Sequence, residues 1–275
     1  MRKRRAFLYT IFSLLAAVAA ALTAFRTAGL FSSLRDNPQM KIFTDGFYLS
    51  DTVFRISIPV FILISASVLF LMRGKKSVIF APPEKRAERV CALVCCVALL
   101  LSGAVSAAVC FSELGAGMSL LLFVRLVCAL LAFPCAVYFF RVFRGSVQKG
   151  NTWIFALAAP LWATILIVAE YFGRYFAFNN PVRVSGNVAL ACVITAMLFE
   201  VRSVIAYPCG KFFAAIISAL PCLVFVHVLP LVFTFPLWIG GASAVELIND
   251  IALLPIAVYM ALRNVRAVAA LAENN

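Results

Sequence analysis

Histidine is almost missing from this chain: His227 is the one imidazole among 275 residues. One histidine cannot complete a usual zinc set, and no CxxC pair is present to supply thiolates instead, so a metal site is not expected. Catalytic signatures are missing as well. There is no HExxH, no GxSxG, no GxxxxGK followed by Ser or Thr, and no dinucleotide-binding GxGxxG. No catalytic residue and no cofactor are therefore expected. Long polar stretches are scarce too. The longest segment between apolar runs, 26–52, is too short to bury a core of its own. That excludes a soluble catalytic domain within these residues.

Acidic charge is the scarcer sign, with 11 Asp and Glu against 24 Lys and Arg. In a soluble protein a net charge of +13 would point to nucleic acid. Here the basic residues flank apolar runs instead, and no basic cluster is interleaved with aromatics. The pattern is the positive-inside bias of a membrane protein, and nucleic-acid binding is not expected.

What the chain does have is apolar sequence. Hydrophobic residues make up 64% of it and its mean hydropathy is +1.04. These residues come in runs of the length that crosses a hydrocarbon core. The reading is an all-α integral membrane bundle of eight transmembrane helices, at about 6–25, 53–72, 90–111, 118–140, 153–172, 187–207, 212–235 and 246–262. The basic residues test this arrangement. Seventeen fall on one side, in 2–5, 73–89, 141–149, at Arg202 and Lys211, and at Arg263 and Arg266. Six fall on the other: Arg26, Arg35, Lys41, Arg55, Arg174 and Arg183. The bias predicts that residues 1–275 form a single multi-pass domain of the cytoplasmic membrane with both termini in the cytoplasm.

Two readings fit the first run. Its Ala-rich end offers small residues for signal-peptide cleavage, which would leave seven helices. Its length favours an uncleaved first helix. In the third span Ser102, Gly103, Ser106 and Ala107 make a small-residue stripe that predicts close helix packing. The nine cysteines read as small apolar fillers. Membrane lipids are the expected partners. The basic loop 73–89 is the contact a protein partner would use.

Ionisable residues inside spans are where function is sought by default, because a charge in the bilayer costs several kcal/mol unless paired or watered. Arg125, Glu170, His227 and Asp250, with Arg55 at a helix end, fall in the outer half and form the candidate polar pocket. There Arg125 would grip an anionic group, and a carboxylate or His227 would relay protons. The competing reading is ion pairs that hold helices in register, with rim residues snorkelling to water. Arg125 reads as too deep to snorkel, with Glu170 as first-choice partner and Asp250 as second. Glu200 stands near the inner end of its helix, where it either meets another helix or lines an inner vestibule.

The run 153–207 also carries Ala159-Pro160-Leu161-Trp162 and Met197-Leu198-Phe199-Glu200-Val201-Arg202, and Thr44-Asp45-Gly46-Phe47 precedes the second span. In these elements the chain resembles an uncharacterised group of polytopic membrane proteins of clostridial-type Firmicutes. The resemblance implies a bacterial cytoplasmic membrane and carries no activity. The functions that fit the residues are transport of a small solute or a lipid-like molecule, as transporter or transporter component. A membrane-embedded sensor or scaffold acting through a protein partner fits as the alternative.

Overall fold

A computed structural model describes the backbone of residues 2–36, 45–70, 77–78, 83, 85–147, 150–173, 181–238 and 244–273. Its helices are α1 (Arg2–Asp36), α2 (Asp45–Ala66), α3 (Arg86–Glu113), α4 (Leu120–Phe143), α5 (Thr152–Gly173), α6 (Pro181–Val204), α7 (Lys211–Ile216), α8 (Leu220–Trp238) and α9 (Ala244–Glu273). Among the described residues there are also two short 3-10 helices, Ser67–Phe70 and Leu114–Ala116, and a two-residue antiparallel pairing of Ser77–Val78 with Cys209–Gly210.

Among the described residues, seven helices are long and apolar enough to cross a membrane, carried by α1 to α6 and α9. The chain is thus built as a multi-pass helical membrane protein. The seventh expected span, 212–235, does not form one rod. Residues 217–219 turn between α7 and α8, and Pro221 sits in the first turn of α8, where a missing N–H costs nothing. The described apolar part of α8, Leu220–Thr234, is shorter than the other spans.

Helix ends follow local chemistry. The Ser119 hydroxyl accepts from the Leu122 N–H at 3.1 Å and so starts α4. Gly145 ends it at φ +67°. There the Gly145 and Ser146 N–H groups donate to the carbonyls of Val142 and Arg141, both at 3.0 Å, which is a Schellman cap.

Neighbouring helices form a closed ring in the order α3, α4, α5, α6, α8, α9 and back to α3, with α1 laid outside α8 and α2 outside α1. Burial follows this order. In α6 and α9 56% of the span is buried, against 28% in α2. The small-residue stripe lies where α3 meets α4, with Ser102, Gly103 and Ser106 buried. A Cβ added at Gly103 would stand 3.0 Å from the Ala132 Cβ and 3.1 Å from the Ala129 carbonyl oxygen. Only glycine permits that approach.

Two expected boundaries move, for the same reason. α1 runs on to Asp36, and α6 begins at Pro181. Arg26 and Arg183, expected in outer loops, are therefore helical and buried, at 2% and 5% exposure. A buried partner lets a helix continue past a charge that would stop an apolar run.

Candidate functional site

Polar side chains collect in two layers of the bundle. The first lies near the ends where α2, α6 and α9 begin. The Arg26 guanidinium (α1) donates to Asp51 Oδ1 (α2) at 3.3 Å and to Ser185 Oγ (α6) at 3.0 Å. Arg55, one turn after Asp51, donates to Asp51 Oδ2 at 2.8 Å. Ser185 Oγ lies 3.0 Å from His227 Nδ1 (α8), and His227 Nε2 lies 3.7 Å from Asp250 Oδ1 (α9). The Arg26 guanidinium also stands over the Phe54 ring, 4.8 Å from its centroid. Five helices thus share one buried chain of polar contacts. Beside it, the Ser102 hydroxyl of α3 donates to Asn249 of α9.

His227 is the chemically adaptable member. The Ser185 hydroxyl accepts from Arg26, and its single proton has two acceptors, the Val182 carbonyl at 3.0 Å and His227 Nδ1 at 3.0 Å. When the hydroxyl donates to Val182, Nδ1 must carry a proton. In a neutral ring Nε2 is then a bare acceptor facing the Asp250 carboxylate. Protonation of the ring makes that contact attractive. The ring nitrogen facing Ser185 is thus a donor or an acceptor according to the tautomer.

The second layer lies some 20 Å away, judged from the 13 residues of α9 between Asp250 and Arg263 at ~1.5 Å each. Its centre is Glu200 of α6. Glu200 Oε1 accepts from the Tyr138 hydroxyl at 2.9 Å and the Tyr259 hydroxyl at 2.7 Å. Its Oε2 accepts from Arg263 at 3.0 Å. Arg263 also donates to Ser203 Oγ at 3.0 Å and stands 3.8 Å from Glu88, which accepts from Arg266 at 2.7 Å. The layer ties α3, α4, α6 and α9 together with two carboxylates and two guanidinium groups. Between the layers the buried faces of α6 and α9 are apolar: Leu190, Val193 and Met197 on one, Leu253, Ile256 and Ala257 on the other.

The structure brings Arg55, His227 and Asp250 of the expected pocket into one network, through Asp51, Arg26 and Ser185. Arg125 lies elsewhere. It stands only five residues into α4, and its guanidinium reaches back to within 3.7 Å of Glu113 at the end of α3. Snorkelling toward a helix end, which its expected depth excluded, is what it does. Its expected partner Glu170 lies on α5, but the Glu170 side chain is outside the described residues. Glu200 accepts from side chains of two other helices, α4 and α9, and lines a small cavity with Met197, Ser203 and Arg263. The sequence reading passed over Arg26, Asp51, Ser185, Glu88, Tyr138, Tyr259 and Arg263. The signal for several of these was present: Asp51 and Arg55 stand one turn apart, as do Tyr259 and Arg263, so each pair shares a helix face.

Among the described residues no cluster of three or more His, Cys, Asp or Glu side chains forms a metal site. The eight described cysteines are free thiols. No protein-family model matches the chain, and neither curated proteins nor solved structures yield a match to it.

Proposed function

We propose that the chain is an eight-helix protein of a bacterial cytoplasmic membrane, both termini inside, that moves a small solute or lipid-like molecule across or within the bilayer. The carrying observation is the buried chain Asp51–Arg26–Ser185–His227–Asp250, which joins five helices around a histidine able to exchange a proton. Two polar layers separated by an apolar stretch fit a carrier that opens one end at a time. The orientation is supported by the basic residues. With Arg26 and Arg183 moved into helices, the bias toward the Glu200 end only grows. We place that end in the cytoplasm.

The test uses the protein in liposomes loaded with a pH-sensitive dye. Pools of amino acids, sugars, nucleosides and organic anions are added outside, and a parallel set carries fluorescent phospholipid to read exchange between leaflets. Proton movement or lipid exchange above protein-free vesicles is expected, and its loss in His227→Gln. Silence in both arms, with a membrane or cytosolic protein crosslinking to loop 73–89 in cells, would replace transport by a sensor or scaffold role.

A further inference from the structure

Outside the ring, α1 and α8 pack against each other but leave a groove between them. Alanines make its floor. Ala16, Ala20, Ala24 and Ala28 recur every four residues on one face of α1 and line two adjoining cavities of about 420 Å³ and 700 Å³. The cavities share Ala20, Thr23 and Leu229, so they form one channel along the helix pair. From Phe12 to Phe31 the channel covers 19 residues of α1, about 28 Å, which matches the thickness of a bilayer's hydrocarbon core.

The channel is polar at two levels: the Thr23 hydroxyl, midway, is buried and has no hydrogen-bond partner among the described residues, and one end is polar as well. Ser218, in the turn before α8, and Asn264 of α9 line it there. Ser218 is 2% exposed, and its Oγ has no hydrogen-bond partner among the described residues. The Asn264 amide donates to the Ile217 carbonyl at 2.6 Å and closes the end wall. A buried hydroxyl without a partner is costly, and one at the end of an apolar channel is placed to donate to a ligand. Just beyond this end α1 begins with Arg2, Lys3, Arg4 and Arg5.

The geometry points to a phospholipid site: an anionic phospholipid lays an acyl chain along the Ser218 half of the α1/α8 groove, the depth of one leaflet, with an ester carbonyl at Ser218 and its headgroup toward the first turn of α1. An acyl chain suits the shape. A second helix, about 10–12 Å across with its side chains, is too wide to lie between two helices already in contact. The sequence of α1 some two turns beyond Phe12 carries four positive charges, at residues 2–5, which favour an anionic over a zwitterionic lipid. The site belongs to the inner leaflet on the orientation proposed above, but binding itself is independent of that reading.

Native mass spectrometry of the full chain, released from nanodiscs holding equal phosphatidylglycerol and phosphatidylcholine, tests the site. The wild type is expected to retain phosphatidylglycerol preferentially. Ala16→Trp and Ala20→Trp each fill the groove at an exposed position, so they leave the melting temperature unchanged. Excluding about two methylenes from the groove should cut retention about tenfold. Replacing Arg2, Lys3, Arg4 and Arg5 with Gln should equalise the two lipids without lowering phosphatidylcholine. Undiminished retention in both Trp variants overturns the site, and equal retention of the two lipids by the wild type overturns the anionic class. A dimer that both Trp variants convert to monomer assigns the groove to a second copy and overturns the lipid. Lipid loss in the Trp variants of a protein that transports nothing leaves the site standing and removes the transport reading.

Discussion

Arg26 and Arg55 hold the same carboxylate, yet their surroundings set very different values on the two contacts. Arg26 is 2% exposed and Arg55 is 47% exposed, while Asp51 between them is 5% exposed. Removing one partner of a buried pair strands the other charge, which costs about 3–5 kcal/mol. A pair screened by water is worth about 0–1 kcal/mol. Arg26→Gln should therefore lower the melting temperature sharply in detergent, and Arg55→Gln should barely move it. Equal shifts would mean that water reaches Arg26. The same reasoning applies to Glu200, whose carboxylate meets two tyrosine hydroxyls and Arg263. Glu200→Gln and Arg263→Gln should each destabilise by about 3–5 kcal/mol, and the double variant by much less than their sum. Additive losses in a thermal-melt cycle would separate the two residues energetically.

At the scale of elements, the tightest contact with a named cause is the crossing of α3 and α4 at Gly103. The Ala129 carbonyl oxygen is backbone and cannot rotate away from an added methyl group, so the two helices must separate. Gly103→Ala should cost about 1–3 kcal/mol, as overpacking of a filled interior does. Gly103→Val should cost more. Both would be read by thermal unfolding of the purified protein. A neutral Gly103→Ala would show that α3 and α4 slide apart freely. The α1 alanines have the opposite role. Small residues at Gly103 bring a partner close, whereas those along α1 leave a gap, because α8 does not follow them down to the helix surface.

For the whole molecule, the arrangement across the membrane is open to labelling in cells once the native cysteines are removed. New cysteines at Ser32, Gly115, Asn179 and Ser243 should react with an impermeant reagent added to intact cells. Those at Ser77, Ser146 and Asn274 should stay unreacted until the membrane is opened. Ser77 is the most informative, because its strand pairs with Cys209–Gly210 and so ties two connecting segments to one side. Labelling of Ser77 from outside would reverse the orientation and move the Glu200 layer to the outer face.

The apolar helical bundle was legible in the amino-acid sequence because crossing a bilayer is a one-dimensional condition: enough consecutive apolar residues. The stripe at Ser102, Gly103 and Ser106 was legible for a similar reason, since helical periodicity is local. His227, Asp250 and Arg55 stood out because charge inside an apolar run is itself rare. Their partners did not stand out. Arg26 and Ser185 lie 159 residues apart, and Glu88 and Arg266 lie 178 apart. Which helix faces which is decided by packing, and it is packing that turned Arg26 and Arg183 from loop residues into buried ones. The same cause sent Arg125 to Glu113, set Glu200 among Tyr138, Tyr259 and Arg263, and opened the α1/α8 groove. A linear pattern can say that a charge needs a partner; only the tertiary structure brings one within 3 Å.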